Sequence, residues 1–174
     1  MEASHALDKT TDSRPREVMT WTHLGEASRH LAQAVADSGW QPDIVLAIAR
    51  GGLLPGGAVA YALGVKNSCA MNVEFYTDVD QRLDVPMVLP PAPELVDLGD
   101  SKMLIVDDVA DTGRTLEVVQ GFCSGKVAEV RTAVLYEKPH SIVKCDYVWR
   151  QTDRWIDFPW SAEPPVAGGG AAPA

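Results

Sequence analysis

Two short runs that are apolar on both faces constrain the fold of this 174-residue chain more than any other feature. They are IVLAIA at 44–49 and MLIV at 103–106, and both contain isoleucine and valine. Such runs are typical of central strands in a parallel sheet that helices cover on both sides. Because segments with helical periodicity follow both runs, the sequence predicts an α/β fold with a central, mostly parallel, twisted sheet flanked by helices.

The remaining elements follow from periodicity and from the glycines and prolines between them. A helix is predicted from Thr20 to Ser38, with Thr20 or Thr22 as its N-cap and Gly39 as its stop. Residues 78–100 contain four prolines and predict a loop or a short hairpin. Further helices are predicted at 53–64 and 112–123, and further strands at 68–77, 102–108, 129–138 and 145–151.

The two ends of the chain differ from its middle. Residues 1–16 are polar, and the tail 161–174 is largely Pro, Gly and Ala, so neither can bury enough apolar surface to offset its ordering entropy. We therefore expect one folded domain at 17–160 between two disordered ends. The three cysteines are widely spaced, fit neither a disulfide framework nor a zinc motif, and are expected to be buried thiols.

Charge and hydropathy exclude several classes of partner. A net charge of −9 and a pI near 4.8 disfavour non-specific binding to nucleic acid. No apolar run approaches the roughly 20 residues that span a bilayer, and the N-terminus lacks the layout of a secretory signal. We expect a cytoplasmic protein that binds neither nucleic acid nor a membrane.

Three stretches of the chain follow predicted strands, where ligands bind in open α/β sheets. They are Arg50-Gly51-Gly52, the segment that begins at residue 107, and Lys138. The first is a weak pattern by itself, because Arg-Gly-Gly is equally typical of a plain strand-to-helix turn with a solvated arginine. The second carries more chemistry.

The segment ADTGRT, residues 110–115, leaves a strand and opens a helix. The unpaired N–H groups and the dipole of a helix start attract anions, and Gly113 allows a ligand to approach the backbone closely. Thr112 and Thr115 add hydroxyl donors. Because the patterns GxxxxGK[ST] and GxGxxG are both absent, we expect the phosphate of some other class of ligand.

Asp107 and Asp108 stand side by side at the end of a buried strand. Neighbouring carboxylates are costly unless they receive hydrogen bonds from hydroxyl groups or face a cation. A sugar diol and Mg²⁺ would supply both. In the simpler alternative, the pair only ends a strand and Asp111 only caps the next helix, but the glycine-threonine loop favours a ligand.

The stretch LIVDDVADTGRT resembles the phosphoribosyl-pyrophosphate signature of the type I phosphoribosyltransferases: four apolar residues, two acidic ones, two variable positions and then D-T-G-x-T. The resemblance implies the type I phosphoribosyltransferase fold. It also implies that Asp107 and Asp108 hold the 2′- and 3′-hydroxyls of the ribose, while the next residues hold the 5′-phosphate. The substrate-binding residues implied in this loop are Ala110, Asp111, Thr112, Gly113, Arg114 and Thr115.

Two segments further upstream extend the resemblance. AIARGGLLPG is similar to the pyrophosphate loop of the family, in which Arg50 and the backbone of Gly51 and Gly52 face the leaving group. Residues 74–89 occupy the place of the flexible lid that excludes water from the reaction. Tyr76 in this lid is a candidate contact, although an aromatic residue at a strand end is often only packing.

The segment LYEKPHSIVKCDYVWRQTDRWIDFPW resembles the base-binding region of the bacterial xanthine-guanine and other 6-oxopurine phosphoribosyltransferases. This implies a small C-terminal hood over the base. Lys138 would donate to the purine O6, Trp155 or Ile156 would stack on the ring, and the backbone around Ile156 and Asp157 would contact the C2 substituent. Core packing is the alternative for Trp155.

The implied reaction joins a purine nitrogen to phosphoribosyl pyrophosphate and releases pyrophosphate. Arg50 would stabilise the leaving group, and Asp111 would act on the purine N7 proton. The implied cofactor is Mg²⁺ near Asp107 and Asp108, with Asp157 as a water-mediated ligand, and the family usually forms homodimers or homotetramers. Two alternatives stay open: a transferase for another base, and a non-catalytic regulator that binds phosphoribosyl pyrophosphate.

Overall fold

A computed structural model describes residues 15–78, 81–89 and 98–167 of the chain. The described residues fall into two compact units, one of 20–153 and one that combines 15–19 with 154–167. Most of the predicted disordered N-terminus and the last residues of the predicted tail lie outside the described residues.

The elements of the structure follow the predicted alternation of strands and helices. Among the described residues the helices are α1 (Trp21–Asp37), α2 (Leu53–Leu63) and α3 (Arg114–Cys123). The strands are β1 (Glu17–Val18), β2 (Ile44–Ala49), β3 (Ser68–Asp78), β4 (Gln81–Leu89), β5 (Lys102–Ala110), β6 (Glu129–Glu137), β7 (Tyr147–Gln151) and β8 (Ile156–Asp157).

A six-stranded sheet in the order β4-β3-β2-β5-β6-β7 forms the centre of the larger unit. All of its pairs are parallel except β3 with β4. The two runs that are apolar on both faces, β2 and β5, are neighbours in the middle of the sheet, where both faces of a strand are covered. The predicted fold class, α/β with a mostly parallel central sheet flanked by helices, is confirmed.

The two faces of β2 pack against different helices. Ile44, Leu46 and Ile48 belong to one buried cluster with Leu116 and Val119 of α3. On the opposite face an added Cβ on Gly56 of α2 would lie 2.7 Å from Ala47 Cβ, so α2 approaches the sheet closely there. The alternation of side chains along the strand therefore covers both faces of the sheet.

The predicted ends of α1 and α2 agree with the structure to within one residue, whereas α3 starts at Arg114, two residues after its predicted start, because Gly113 is its N-cap. The Thr20 side chain accepts a hydrogen bond of 3.1 Å from the His23 N–H, so Thr20 rather than Thr22 is the N-cap of α1. Gly64 follows α2 in the left-handed conformation, with φ of 71°, which favours glycine.

The strands differ from the prediction by more than one residue in four places. Strands β3 and β4 form a hairpin of 11 and 9 residues, which is longer than the predicted loop or short hairpin. Strand β5 continues to Ala110, two residues beyond its predicted end, and β7 starts two residues late at Tyr147. The short parallel pair β1 and β8 was not predicted, because two residues are too few to give a periodic pattern.

The cysteines are free thiols within the described residues. Cys123 is buried as predicted, whereas Cys69 and Cys145 are only half-buried. Burial raises the pKa of the Cys123 thiol to about 11 and that of Cys145 to about 12, so both stay protonated at neutral pH. In the part of the chain that the structure describes, each helix is too short or too polar to cross a membrane.

Candidate active site

The turn after β2 lies directly against the end of β5, because these strands are parallel neighbours. An added Cβ on Gly51 would overlap the carboxylate of Asp108. An added Cβ on Gly52 would lie 2.6 Å from the carbonyl oxygens of both Ile48 and Val106. Only glycine fits at both positions, so the turn that carries the exposed Arg50 is packed against the paired aspartates. The peptide bond between Ala49 and Arg50 is cis.

The paired aspartates place two adjacent carboxylates at the end of β5, with Asp107 buried and Asp108 half-buried. Asp107 is 8% exposed, and its Oδ1 accepts a hydrogen bond of 2.9 Å from the Asp108 N–H. Asp108 Oδ1 accepts one of 2.8 Å from the Val109 N–H. Burial, and next the charge of Asp108, hold the pKa of Asp107 well above its usual range, and burial also raises the pKa of Asp108. A cation or several hydroxyl donors would stabilise the ionised form of both carboxylates.

The donor set therefore fits a hard divalent cation. Carboxylate oxygens are the ligands that Mg²⁺ prefers, and Mg²⁺ usually takes only one or two of them and fills its other positions with water and substrate oxygens. The described residues contain no cluster of three or more His, Cys, Asp or Glu side chains that could enclose a metal. Asp107 and Asp108 would hold the ion from one side.

The loop after β5 opens α3 through a left-handed glycine. Gly113 has φ of 82° and is the N-cap of the helix, and its carbonyl accepts the hydrogen bond of 3.0 Å from the Glu117 N–H. Thr112 Oγ1 accepts a long hydrogen bond of 3.4 Å from the Arg114 N–H. N–H groups in the first turn of a helix have no partner within the helix, so this loop can hold a phosphate. Asp111, Thr112 and Arg114 are exposed, and Thr115 is half-buried.

We call the loop after β5, residues 110–115, the phosphate loop. A second loop, residues 138–145, lies beside it, and we call this one the Lys138 loop. The Lys138 N–H donates to the Ala110 carbonyl at 2.9 Å, and the Ile142 N–H donates to the Thr112 carbonyl at 2.9 Å. Lys138 is 7% exposed. Two hydrogen bonds therefore fix the segment of the predicted base-binding lysine to the segment of the predicted phosphate site.

The structure shows one contact of Asp111 that the sequence does not predict. His140 is exposed, yet its Nε2 lies 3.3 Å from Oδ1 of Asp111, the predicted acid-base residue. The two residues are 29 positions apart, so no local pattern predicts the contact. Their closeness follows from the parallel pairing of β5 with β6, which brings the ends of both strands together.

The smaller unit holds the three remaining predicted residues. Ile156 and Asp157 form β8, and the Trp155 carbonyl accepts a hydrogen bond of 2.8 Å from the Glu17 N–H. Trp155 is 62% exposed, so core packing does not explain it. Asp157 Oδ1 forms an ion pair with Arg16 Nη1 at 2.6 Å, which already occupies one oxygen of the predicted metal ligand. The side chain of Tyr76 lies outside the described residues.

The phosphoribosyl transferase domain family matches residues 17–166. Xanthine-guanine phosphoribosyltransferases of a Ruegeria species and of Roseobacter denitrificans are each 31% identical to the chain over 153 residues, covering 82% of it and 83% of the relative. A purine phosphoribosyltransferase from Pyrococcus horikoshii superposes with a TM-score of 0.75 at 33% identity, covering 88% of this chain and 99% of that one. The chain therefore belongs to the phosphoribosyltransferase family, in its type I branch.

Proposed function

We propose that the protein transfers the 5-phosphoribosyl group from phosphoribosyl pyrophosphate to a 6-oxopurine, namely hypoxanthine, guanine or xanthine, and releases pyrophosphate. One observation carries the proposal: a pair of adjacent carboxylates, one buried and one half-buried, and a helix start that opens with glycine follow each other at the end of one strand. The first suits a ribose diol and the second suits its 5′-phosphate. Few ligands other than a phosphorylated pentose need both within nine residues.

The sugar is held at two points in this proposal. Asp107 and Asp108 accept hydrogen bonds from the 2′- and 3′-hydroxyls, which offsets part of the cost of their burial. The loop from Ala110 to Thr115 binds the 5′-phosphate through its N–H groups and its threonine hydroxyls. Because both contacts are made before the reaction, C1 of the ribose is fixed in position for attack.

Arg50 and the backbone of Gly51 and Gly52 face the pyrophosphate. Negative charge grows on the departing oxygens as the C1–O bond breaks, and the Arg50 guanidinium stabilises that charge. We propose Mg²⁺ as the divalent metal, held by Asp107, Asp108 and substrate oxygens, with Asp157 contacting it through water. When bound, the ion supplies further charge neutralisation at the phosphate oxygens.

The base is recognised by separate residues. Lys138 donates to the purine O6, and Asp111 moves the proton of purine N7 as the new bond forms. Trp155 or Ile156, in the smaller unit, stacks on the ring, an expectation that rests on the family resemblance and is supported by the exposure of Trp155. A 6-oxopurine fits this set because its O6 accepts a hydrogen bond where the amino group of adenine would donate one.

We further propose a cytoplasmic homodimer or homotetramer. Helix α2 is apolar on all sides and exposes 44% of Leu53, 37% of Leu54 and 93% of Tyr61. A helix of this kind is usually covered, and a second copy of the chain would cover it. Light scattering that gave the mass of one chain, 18.8 kDa, would contradict this assembly.

The test of the reaction is pyrophosphate release with Mg²⁺, phosphoribosyl pyrophosphate and one free base at a time. We expect release with at least one of hypoxanthine, guanine and xanthine, and its loss when the metal is chelated. Release with adenine alone, or without any base, would refute the assignment to 6-oxopurines.

A further inference from the structure

Glu137 is a buried carboxylate that the proposed reaction does not use. It ends β6, immediately before Lys138, and is 2% exposed. A buried carboxylate is costly unless several donors satisfy it, so its partners indicate what its burial achieves.

Three donors to the Glu137 carboxylate lie beyond Lys138 in the chain. Its Oε2 accepts a hydrogen bond of 2.8 Å from the Cys145 N–H. Its Oε1 accepts from Lys144 Nζ at 3.4 Å and from Gln151 Nε2 at 3.3 Å. The carboxylate therefore ties the returning end of the Lys138 loop, and the end of β7, to the residue from which the loop departs.

The Lys138 loop also contacts the phosphate loop. Besides the hydrogen bonds to Ala110 and Thr112, Ser141 lies so close to Gly113 that an added Cβ there would be 2.6 Å from Ser141 Oγ. The Lys138 loop thus has two supports, the phosphate loop on one side and the Glu137 carboxylate at its base. If the second support is removed, the Cys145 N–H loses its acceptor and the return of the loop loses its fixed position.

We propose that Glu137 is a positioning residue for the purine: it holds the Lys138 loop so that Lys138 stands at a fixed place relative to the phosphate loop. This inference rests on the proposed function, in which Lys138 contacts the purine O6. It assigns to Glu137 an effect on purine binding that is separate from the binding of phosphoribosyl pyrophosphate.

The chain offers a matched control in Asp146, whose carboxylate binds the middle of the same strand. Asp146 Oδ2 accepts hydrogen bonds from the Thr132 N–H at 2.8 Å and from Thr132 Oγ1 at 3.1 Å. It also ties the segment after the Lys138 loop to β6, but five positions before Glu137 along that strand. Removing either carboxylate weakens the fold, whereas only Glu137 adjoins Lys138.

The experiment compares Glu137→Ala, Glu137→Gln and Asp146→Ala with the wild type, each well below its own unfolding temperature. We expect Glu137→Ala to raise the KM of the purine by about tenfold or more, because small displacements of a binding group have effects of this size. The KM of phosphoribosyl pyrophosphate should change by less than about twofold, since the phosphate loop keeps its own contacts. Asp146→Ala should leave both constants near wild type.

Glu137→Gln provides an intermediate step if the alanine variant does not fold. Its amide oxygen can still accept from Cys145, but its NH2 group faces the donors of Lys144 and Gln151. We expect a smaller rise in the purine KM, about two- to fivefold, again without a change for phosphoribosyl pyrophosphate. If the wild type is active and both Glu137 variants have the same purine KM as the wild type, the inference is overturned. A wild type that is inactive with every purine would instead overturn the proposed function on which it rests.

Discussion

Replacing Gly113 by alanine tests whether the phosphate loop really rests on the Lys138 loop. Two costs add at this position. The left-handed backbone, with φ of 82°, costs a residue with a Cβ about 1–2 kcal/mol. The new methyl group would also lie 2.6 Å from Ser141 Oγ and 2.8 Å from the Val143 N–H nitrogen, and such overpacking costs about 1–3 kcal/mol.

Gly125 supplies the control for the first cost alone. Its φ is 77°, and an added Cβ there would meet no atom within 4 Å. We expect Gly125→Ala to lower the free energy of unfolding by about 1–2 kcal/mol and Gly113→Ala to lower it by about 2–5 kcal/mol. The difference measures the contact between the two loops.

Urea unfolding of both variants gives this difference directly, and thermal unfolding should place Gly113→Ala several degrees lower, at about 2–4 °C for each kcal/mol. Gly113→Ala should also weaken the binding of phosphoribosyl pyrophosphate, whereas Gly125→Ala should not. Equal losses of stability in the two variants would refute the packing described for the two loops.

Three further outcomes follow from the same site. Burial favours the protonated form of Asp107, so its contribution to stability is complete below the ordinary aspartate pKa of about 3.9 and is lost as the pH rises through the raised pKa. Asp107→Asn should therefore raise the free energy of unfolding of the unliganded protein at pH 7.5 while abolishing turnover; urea unfolding at pH 5 and 7.5 checks the first effect, and unchanged or lower stability would contradict it. Asp111→Asn should lower kcat by more than about tenfold with phosphoribosyl pyrophosphate binding nearly intact, as calorimetry and steady-state rates would measure, and wild-type turnover would remove Asp111 from the mechanism. Lys138→Gln should raise the KM of the purine more than that of phosphoribosyl pyrophosphate in the same assay, and an equal rise of both would argue against a contact with O6.

The central sheet could be predicted because its strands satisfy a local rule. Strand β2 must be apolar on both faces, because α3 covers one face and α2 the other. All six of its consecutive residues are apolar, so the sequence alone predicts a buried strand. The type I phosphoribosyltransferase resemblance carried by residues 104–115 is likewise confirmed by the family match. Strands β1 and β8 could not be predicted, because their pairing joins residues about 139 positions apart through only two positions each.

The side-chain contacts around the site lay beyond local patterns for a related reason. In the sequence, Glu137 is a polar residue at a strand end like several others. It becomes a buried hydrogen-bond acceptor because the chain returns at Cys145, whose N–H donates to it. The contact of His140 with Asp111 likewise depends on which strands are neighbours. The sequence indicates which residue types stand at strand ends, whereas strand order decides which of them meet.

The close seat of Ser141 against Gly113 has a consequence for engineering. Exchanging residues 138–145 for those of a relative, in order to alter base preference, also changes the residues that contact the phosphate loop. A bulkier residue at position 141 would overlap the backbone of Gly113, which can relieve the overlap only by moving the main chain. The two stretches therefore have to be transplanted as a pair, so that the residue at position 141 still fits against the bare backbone of Gly113.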